Sequence, residues 1–330
     1  MSELPAAPFH LVDRHRTVAP DQVLPPSMAF LADDSRPEHY IMDEPLEHAA
    51  NTAIALGQPL LLTGAPGTGK TRFAECLAWQ LGLRKPLEFH TKSSSVASDL
   101  FYSHDTVRRF HAAHTGKADV SEMDFVHFNS LGEAILRSLG EGASRFGVTI
   151  GEARSKPTRS VVLIDEIDKA SRDFPNDLLN ELPRMCFRVP ELNLTIEGDP
   201  QYRPLVVITS NGERPLPDAF LRRCVVHHID MPDAERMAQI LCARFGYPFP
   251  GGPALIGSVA SLFETMRQKF VRPPSPAETV AWFQLFRAAE PNAALTVQQQ
   301  AGNALRFASA LAKSREDMVI LQKLFHAAPA

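Results

Sequence analysis

Several features are missing from this chain, and each absence excludes something. No apolar run approaches the roughly 20 residues that a membrane-spanning helix requires. The N-terminus has no basic stretch leading into an apolar one, so no secretory leader is expected. An excess of positive charge is missing too. The 34 Lys and Arg stand against 38 Asp and Glu, a net charge of −4 that argues against an obligate nucleic-acid partner. The four cysteines, Cys76, Cys186, Cys224 and Cys242, have no paired ligand spacing and read as small hydrophobes in a reducing compartment. A cytoplasmic protein with no membrane association is the expectation. Internal repeats are absent, and the only biased tract is the proline-rich start.

What is present is a chain of 330 residues, too long for one compact core and suited to two domains. Residues 1–37 read as a lead-in arm, with "LPAAPFH" and "VLPPSMAF" setting its character. Asp43 is placed to cap a helix, with Pro45 in its first turn and Gly57 at its end. The runs "PLLLTG", "PLEFHT", "SVVLIDEID", "PLVVITSN" and "CVVHHIDM" read as five buried strands. Helical stretches such as "TRFAECLAWQLG" and "DFPNDLLNELPRM" alternate with them, which predicts a parallel, doubly wound α/β sheet. "FRVPELNLTIEGDPQYR" reads as a hairpin about its Gly-Asp-Pro turn. Residues 96–150 are the least regular part. After Pro232 and Asp233 the pattern is helical only, so the expected domains are 38–232 and 233–330.

Three strand ends carry chemistry. "GAPGTGKT", Gly64 to Thr71, matches the phosphate-binding pattern G-x-x-x-x-G-K-[ST], with a strand before it and a helix after it. Gly64, Gly67 and Gly69 let the N–H groups of the loop, including those of Ala65 and Thr68 on either side of Pro66, converge on phosphate oxygens. Lys70 would bridge the β- and γ-phosphates of ATP, and the Thr71 hydroxyl would join a Mg²⁺ shell. The competing reading is a glycine turn with a chance lysine. "VVLIDEID" runs into Asp165, which would hold Mg²⁺ through water, and Glu166, which would polarise the attacking water. The competing reading is an acidic loop. Asp168 and Lys169 read as solvated charges. Asn211, closing "VVITSN", would orient the water or touch the γ-phosphate, or else cap its own turn. "TVRRFH" reads as a solvated or client-contacting face, and neither His227–His228 nor His111–His114 makes a metal pair.

These motifs in this order resemble those of the AAA+ ATPases, and more closely the MoxR family. "GAPGTGKT", "LIDEIDKA" followed by "NDLLNEL", the hairpin before "VVITSN", and "LPDAFLRRC" carry the likeness over residues 38 to 300. The resemblance implies a P-loop NTPase: a five-stranded parallel sheet flanked by helices, followed by an all-helical lid. It also implies an element inserted at about 91–130 that faces the substrate. It implies a homo-oligomeric, hexameric ring with ATP at subunit interfaces, a sensor role for Asn211, and chaperone-like remodelling of a client protein. The partner would often carry a von Willebrand factor A domain. Aligned on the family's L-D-R-F, Arg223 takes the place of an arginine acting on the neighbour's γ-phosphate, and Arg222 replaces an aspartate; a solvated pair is the competing reading. Where the family has S-P-R-A, "PPSPAET" puts Ala277 at the arginine position, so Arg272 is the candidate substitute. Tyr40 and Ile41 are candidates for the adenine pocket or for ordinary core contacts. A nucleic-acid-stimulated NTPase motor of restriction or helicase type, and a non-motor nucleotide switch, are the alternative functions.

Overall fold

The computed structural model describes residues 36–114, 121–147, 156–245, 252–289, 291–292 and 295–326. The expected arm over 1–37 thus lies almost wholly outside the described residues. Contacts divide the chain into two units, Met42–Asp230 and a combination of Met1–Ile41 with Met231–Ala330.

The first unit opens as its sequence predicts. The Asp43 side chain accepts the Leu46 N–H at 2.9 Å to start α1 (Glu44–Leu56), and Gly57 ends it in the left-handed conformation. Next come β1 (Leu60–Thr63), α2 (Lys70–Gln80) and β2 (Leu87–His90). The irregular stretch holds β3 (Tyr102–His104), α3 (Thr106–His114), β4 (Val126–Phe128) and α4 (Ser130–Leu139). Then follow β5 (Val161–Asp165), α5 (Phe174–Glu181), β6 (Cys186–Val189), β7 (Leu194–Glu197), β8 (Leu205–Ser210), the short α6 (Asp218–Leu221) and β9 (Val225–His228).

Five of these strands form one parallel sheet in the order β2-β5-β8-β1-β9. The hydrophobic runs explain the order. Leu61, Leu62 and Val161–Ile164 have no exposed surface, as central strands covered on both faces require. The edge strands β2 and β9 instead alternate between half-buried and exposed positions. Helices cover the sheet, and the fold is that of an α/β P-loop NTPase.

Two small antiparallel pairs, β3–β4 and β6–β7, stand beside this sheet. The Phe187 ring of β6 packs against Phe101 and Phe128, at centroid distances of 5.2 and 6.1 Å. α4 sits so close to Phe101 that a Cβ on Gly132 would fall 1.9 Å from the Phe101 carbonyl oxygen, so only glycine fits there. The β6–β7 hairpin exists, but its turn is not at Gly198-Asp199-Pro200. The chain reverses at Pro190–Asn193, where Asn193 takes the left-handed conformation (φ 46). Asp199 instead caps the 3-10 turn that follows β7.

The second unit is helical: α7 (Ala234–Phe245), α8 (Gly252–Lys269), α9 (Pro276–Ala288), α10 (Ala301–Leu305), α11 (Ala308–Leu311) and α12 (Arg315–His326). Trp282, Phe283 and Phe286 of α9 are wholly buried, and the Trp282 indole donates to the Ala304 carbonyl. No described helix is long and apolar enough to cross a membrane.

Candidate active site

The site is built where three strands of the parallel sheet end. Register sets Thr63 of β1 beside Ser210 of β8, and Ile164 of β5 beside Ile208 of β8. The next residues in step, Asp165 and Thr209, therefore lie side by side at the carboxyl end of the sheet. The open ends of such strands are where α/β sheets bind ligands.

The loop after β1 turns through positive φ at Gly64, Gly67 and Gly69. At Gly64 the reason is also steric, because a Cβ would lie 2.3 Å from the Ile229 carbonyl oxygen. α2 then starts at Lys70 with Gly69 as its N-cap and no side chain bonded to its first turn. Those N–H groups and the positive end of the helix dipole face the loop. Lys70 is only 5% exposed, and its ammonium donates to the Gly64 and Ala65 carbonyls, each at 2.8 Å. Burial pushes its pKa below the ordinary value, while Asp168, Asp165 and Glu166 pull it back up.

Asp165 accepts two hydroxyls at one oxygen, from Thr71 at 3.0 Å and from Thr209 at 2.6 Å. His90 Nδ1 lies 3.5 Å from its other oxygen. Glu166 is one of three described non-glycine residues with positive φ, at 57°. That conformation costs about 1–2 kcal/mol and tends to be retained at functional sites. It is held from three sides. Its N–H donates to the Thr209 hydroxyl at 2.8 Å, its Oε1 accepts the Asn211 amide at 3.0 Å, and its Oε2 meets the Lys169 ammonium.

Lys70, Thr71, Asp165, Glu166 and Asn211 are therefore brought together. Thr209 joins them and was not singled out in the sequence; the signal was a threonine and a serine closing an apolar strand. Asp168 corrects an expectation. It is not solvated but only 3% exposed, and it accepts the Asn211 and Glu213 N–H groups at 3.3 and 2.8 Å. The buried turn after β5 pulls it inward. Lys169 is exposed, as expected of a solvated charge, and its ammonium pairs with Glu166.

Arg222 and Arg223 are exposed, and neither guanidinium has a hydrogen bond or ion pair among the described residues. Val225 N–H donates to the Pro59 carbonyl, so the pair precedes the N-terminal end of β9. The phosphate loop leaves the opposite end of neighbouring β1, about 13 Å along the sheet for a four-residue strand. Arg223 is thus not delivered to its own chain's cluster. Tyr40, Ile41, Arg272 and Ala277 belong to the other unit. There Arg236 of α7 donates to the Ile41 carbonyl at 2.8 Å, and buried Asp317 of α12 accepts the Arg272 N–H at 3.2 Å. Glu278, beside Ala277, is engaged in the α9 cap with Ser275 and in an ion pair with Lys313.

Residues 60–232 match the sequence profile of the ATPase family associated with various cellular activities (AAA). The chain belongs to this family. The AAA match runs from β1 through both arginines and stops two residues past Asp230, where the α/β unit ends. No individual curated protein matches the chain at a significant level. A AAA protein binds nucleotide, and the loop here fits a triphosphate. Its helix start is uncapped by any side chain, and the buried Lys70 ammonium donates to loop carbonyls that phosphate oxygens can replace. Among the described residues no group of three or more His, Cys, Asp or Glu could hold a metal by itself. A hydroxyl and a carboxylate, Thr71 and Asp165, suit a Mg²⁺ that takes its remaining ligands from phosphates and water.

Proposed function

We propose that the chain is a MoxR-like AAA+ ATPase that works as a homo-oligomeric ring, hexameric by family resemblance, and remodels or assembles a partner protein. The observation that carries the hydrolytic part is the Glu166 carboxylate. It lies at the sheet's carboxyl end, bonded to the Asn211 amide, next to an aspartate that already bonds the phosphate loop's threonine. Lys70 would hold the β- and γ-phosphates of ATP, and Thr71 and Asp165 would hold Mg²⁺. When bound, that ion would neutralise charge developing on the phosphate oxygens. Glu166 would take the proton of the attacking water, and Asn211 would set the direction of its carboxylate.

Arg223 supports the oligomeric part. A guanidinium with no partner among the described residues, at the far end of the sheet from its own loop, would serve the loop of another copy. There it would stabilise transition-state charge. Arg272, Tyr40 and Ile41 stay candidates for nucleotide contacts. The client, and a von Willebrand factor A partner, rest on the MoxR resemblance. The four cysteines are free, which supports a reducing, cytoplasmic setting. The deciding experiment is Glu166→Gln, which should bind ATP and fail to hydrolyse it. Unchanged hydrolysis in that variant refutes the assignment.

A further inference from the structure

We infer that Asp168 is a positioning residue for hydrolysis, its buried carboxylate fixing the Asn211–Glu213 turn so that the Asn211 amide meets Glu166. The inference rests on the proposed ATPase reading and adds to it a residue whose carboxylate bonds the backbone of the Asn211–Glu213 turn.

The bonds close a ring. Asp168 lies two residues beyond Glu166, in the 3-10 turn Ile167–Lys169. Its Oδ1 accepts the Asn211 N–H at 3.3 Å and its Oδ2 accepts the Glu213 N–H at 2.8 Å. From the same turn the Asn211 side chain returns to Glu166 Oε1 at 3.0 Å. A second tie runs alongside, from the Arg214 guanidinium to the Ala170 carbonyl at 3.2 Å.

Packing alone does not fix this turn. Gly212 at its centre has φ 76, and a Cβ built there would meet nothing within 4 Å. A glycine in open space permits other backbone conformations, and within the turn its N–H donates to the Ser210 hydroxyl at 3.1 Å. The carboxylate supplies the constraint that packing does not. The 2.8 Å bond from Glu213 has the length of a charge-assisted bond while the 3.3 Å bond from Asn211 is longer, and a buried carboxylate left without such donors is costly. Asp168 is 3% exposed, so water does not replace either donor readily.

The expected consequence is a change in turnover without a change in nucleotide binding. A misplacement of about 1 Å in a catalytic group costs on the order of 100-fold in rate. In the full-length protein, Asp168→Ala should lower kcat for Mg-ATP by about 10- to 100-fold, with KM within about twofold of wild type. Amide exchange should quicken at Asn211 and Glu213 and not across the sheet. Asp168→Asn keeps one acceptor oxygen and should fall between the two, and it decides the matter if the alanine variant does not fold. Wild-type kcat in whichever of the two folds, or a rise in KM alone, overturns the inference. An active wild type with a dead Glu166→Gln, beside an Asp168→Ala of normal kcat, refutes the role of Asp168 only. A wild type without hydrolysis refutes both.

Discussion

Thr209→Val removes one hydroxyl from the centre of the site and little else. That hydroxyl donates to Asp165 at 2.6 Å and accepts the Glu166 N–H at 2.8 Å, and the residue is 1% exposed. Valine has nearly the same shape, so the packing survives while two polar groups lose their partner. The bond to the carboxylate is worth about 1.5–3 kcal/mol, and the orphaned N–H costs about 1–3 kcal/mol. Because one hydroxyl serves both, the loss should be about 2.5–6 kcal/mol, a large part of a typical total of about 5–15 kcal/mol. At about 2–4 °C per kcal/mol for a unit of this size, the α/β transition should fall by about 5–24 °C in calorimetry. Thr209→Ser is the control. It keeps the hydroxyl and loses a methyl group, for about 1 kcal/mol and a fall of about 2–4 °C. Turnover should follow the same order, since the freed Asp165 no longer fixes the Thr71 hydroxyl and Glu166 can leave its left-handed conformation. Equal melting temperatures for the valine and serine variants would refute this account of the hydroxyl.

Three further outcomes are expected. Glu278→Gln should destabilise the helical unit at neutral pH by about 1 kcal/mol through its cap. Burial pushes the Glu278 carboxyl up, but the Ser275 N–H and hydroxyl and the Lys313 ammonium outweigh it and hold it below its ordinary 4.5. A lowered folded pKa contributes stability above 4.5 that is lost as pH falls through the folded value, so variant and wild type should converge there in thermal melts. Lys70→Met should abolish ATP binding yet stabilise the α/β unit at neutral pH. The folded pKa of Lys70 is lowered, so its buried charge costs stability below that value, and the variant's advantage in Tm should shrink as pH rises toward 10.5. Arg223→Ala should lower turnover by about 10³-fold or more, and mixing it with Lys70→Ala subunits should restore part of it. A contact in which the Arg223→Ala subunit supplies the loop and the Lys70→Ala subunit supplies the arginine then has both groups intact, and no rescue would return the pair to surface charge.

The sheet and the phosphate loop were legible because their signals are local. A glycine-lysine loop between an apolar strand and a helix needs no distant residue to be recognised, and four or five buried aliphatics in a row specify a central parallel strand. The hairpin shows where locality fails. Gly198-Asp199-Pro200 carries the stronger turn chemistry, yet Phe187, Phe101 and Phe128 pack together and set which residues pair, so the chain reverses earlier, at Asn193. Residues 96–150 were opaque for a similar reason, since Gly132 is explained only by the Phe101 backbone it touches.

Within the site the division is the same, and it bears on what kind of residue sequence can reveal. Lys70, Thr71, Asp165 and Glu166 stand in motifs, because groups that face one ligand must leave their strands at fixed steps. Thr209 and Asp168 bond other residues of the site. They hold other residues across 43 or more positions of chain, the span between Glu166 and Thr209 or between Asp168 and Asn211. Charge next to the proposed catalytic base reads as solvated until burial is known, and burial here is set by the turn that Asn211, Gly212 and Glu213 make from another strand. The residues that point Glu166 therefore come from β8 and its loop, whereas Glu166 itself comes from β5. Any distortion that slides those two strand ends past each other would switch off hydrolysis while leaving the phosphate loop, on β1 and α2, still able to bind.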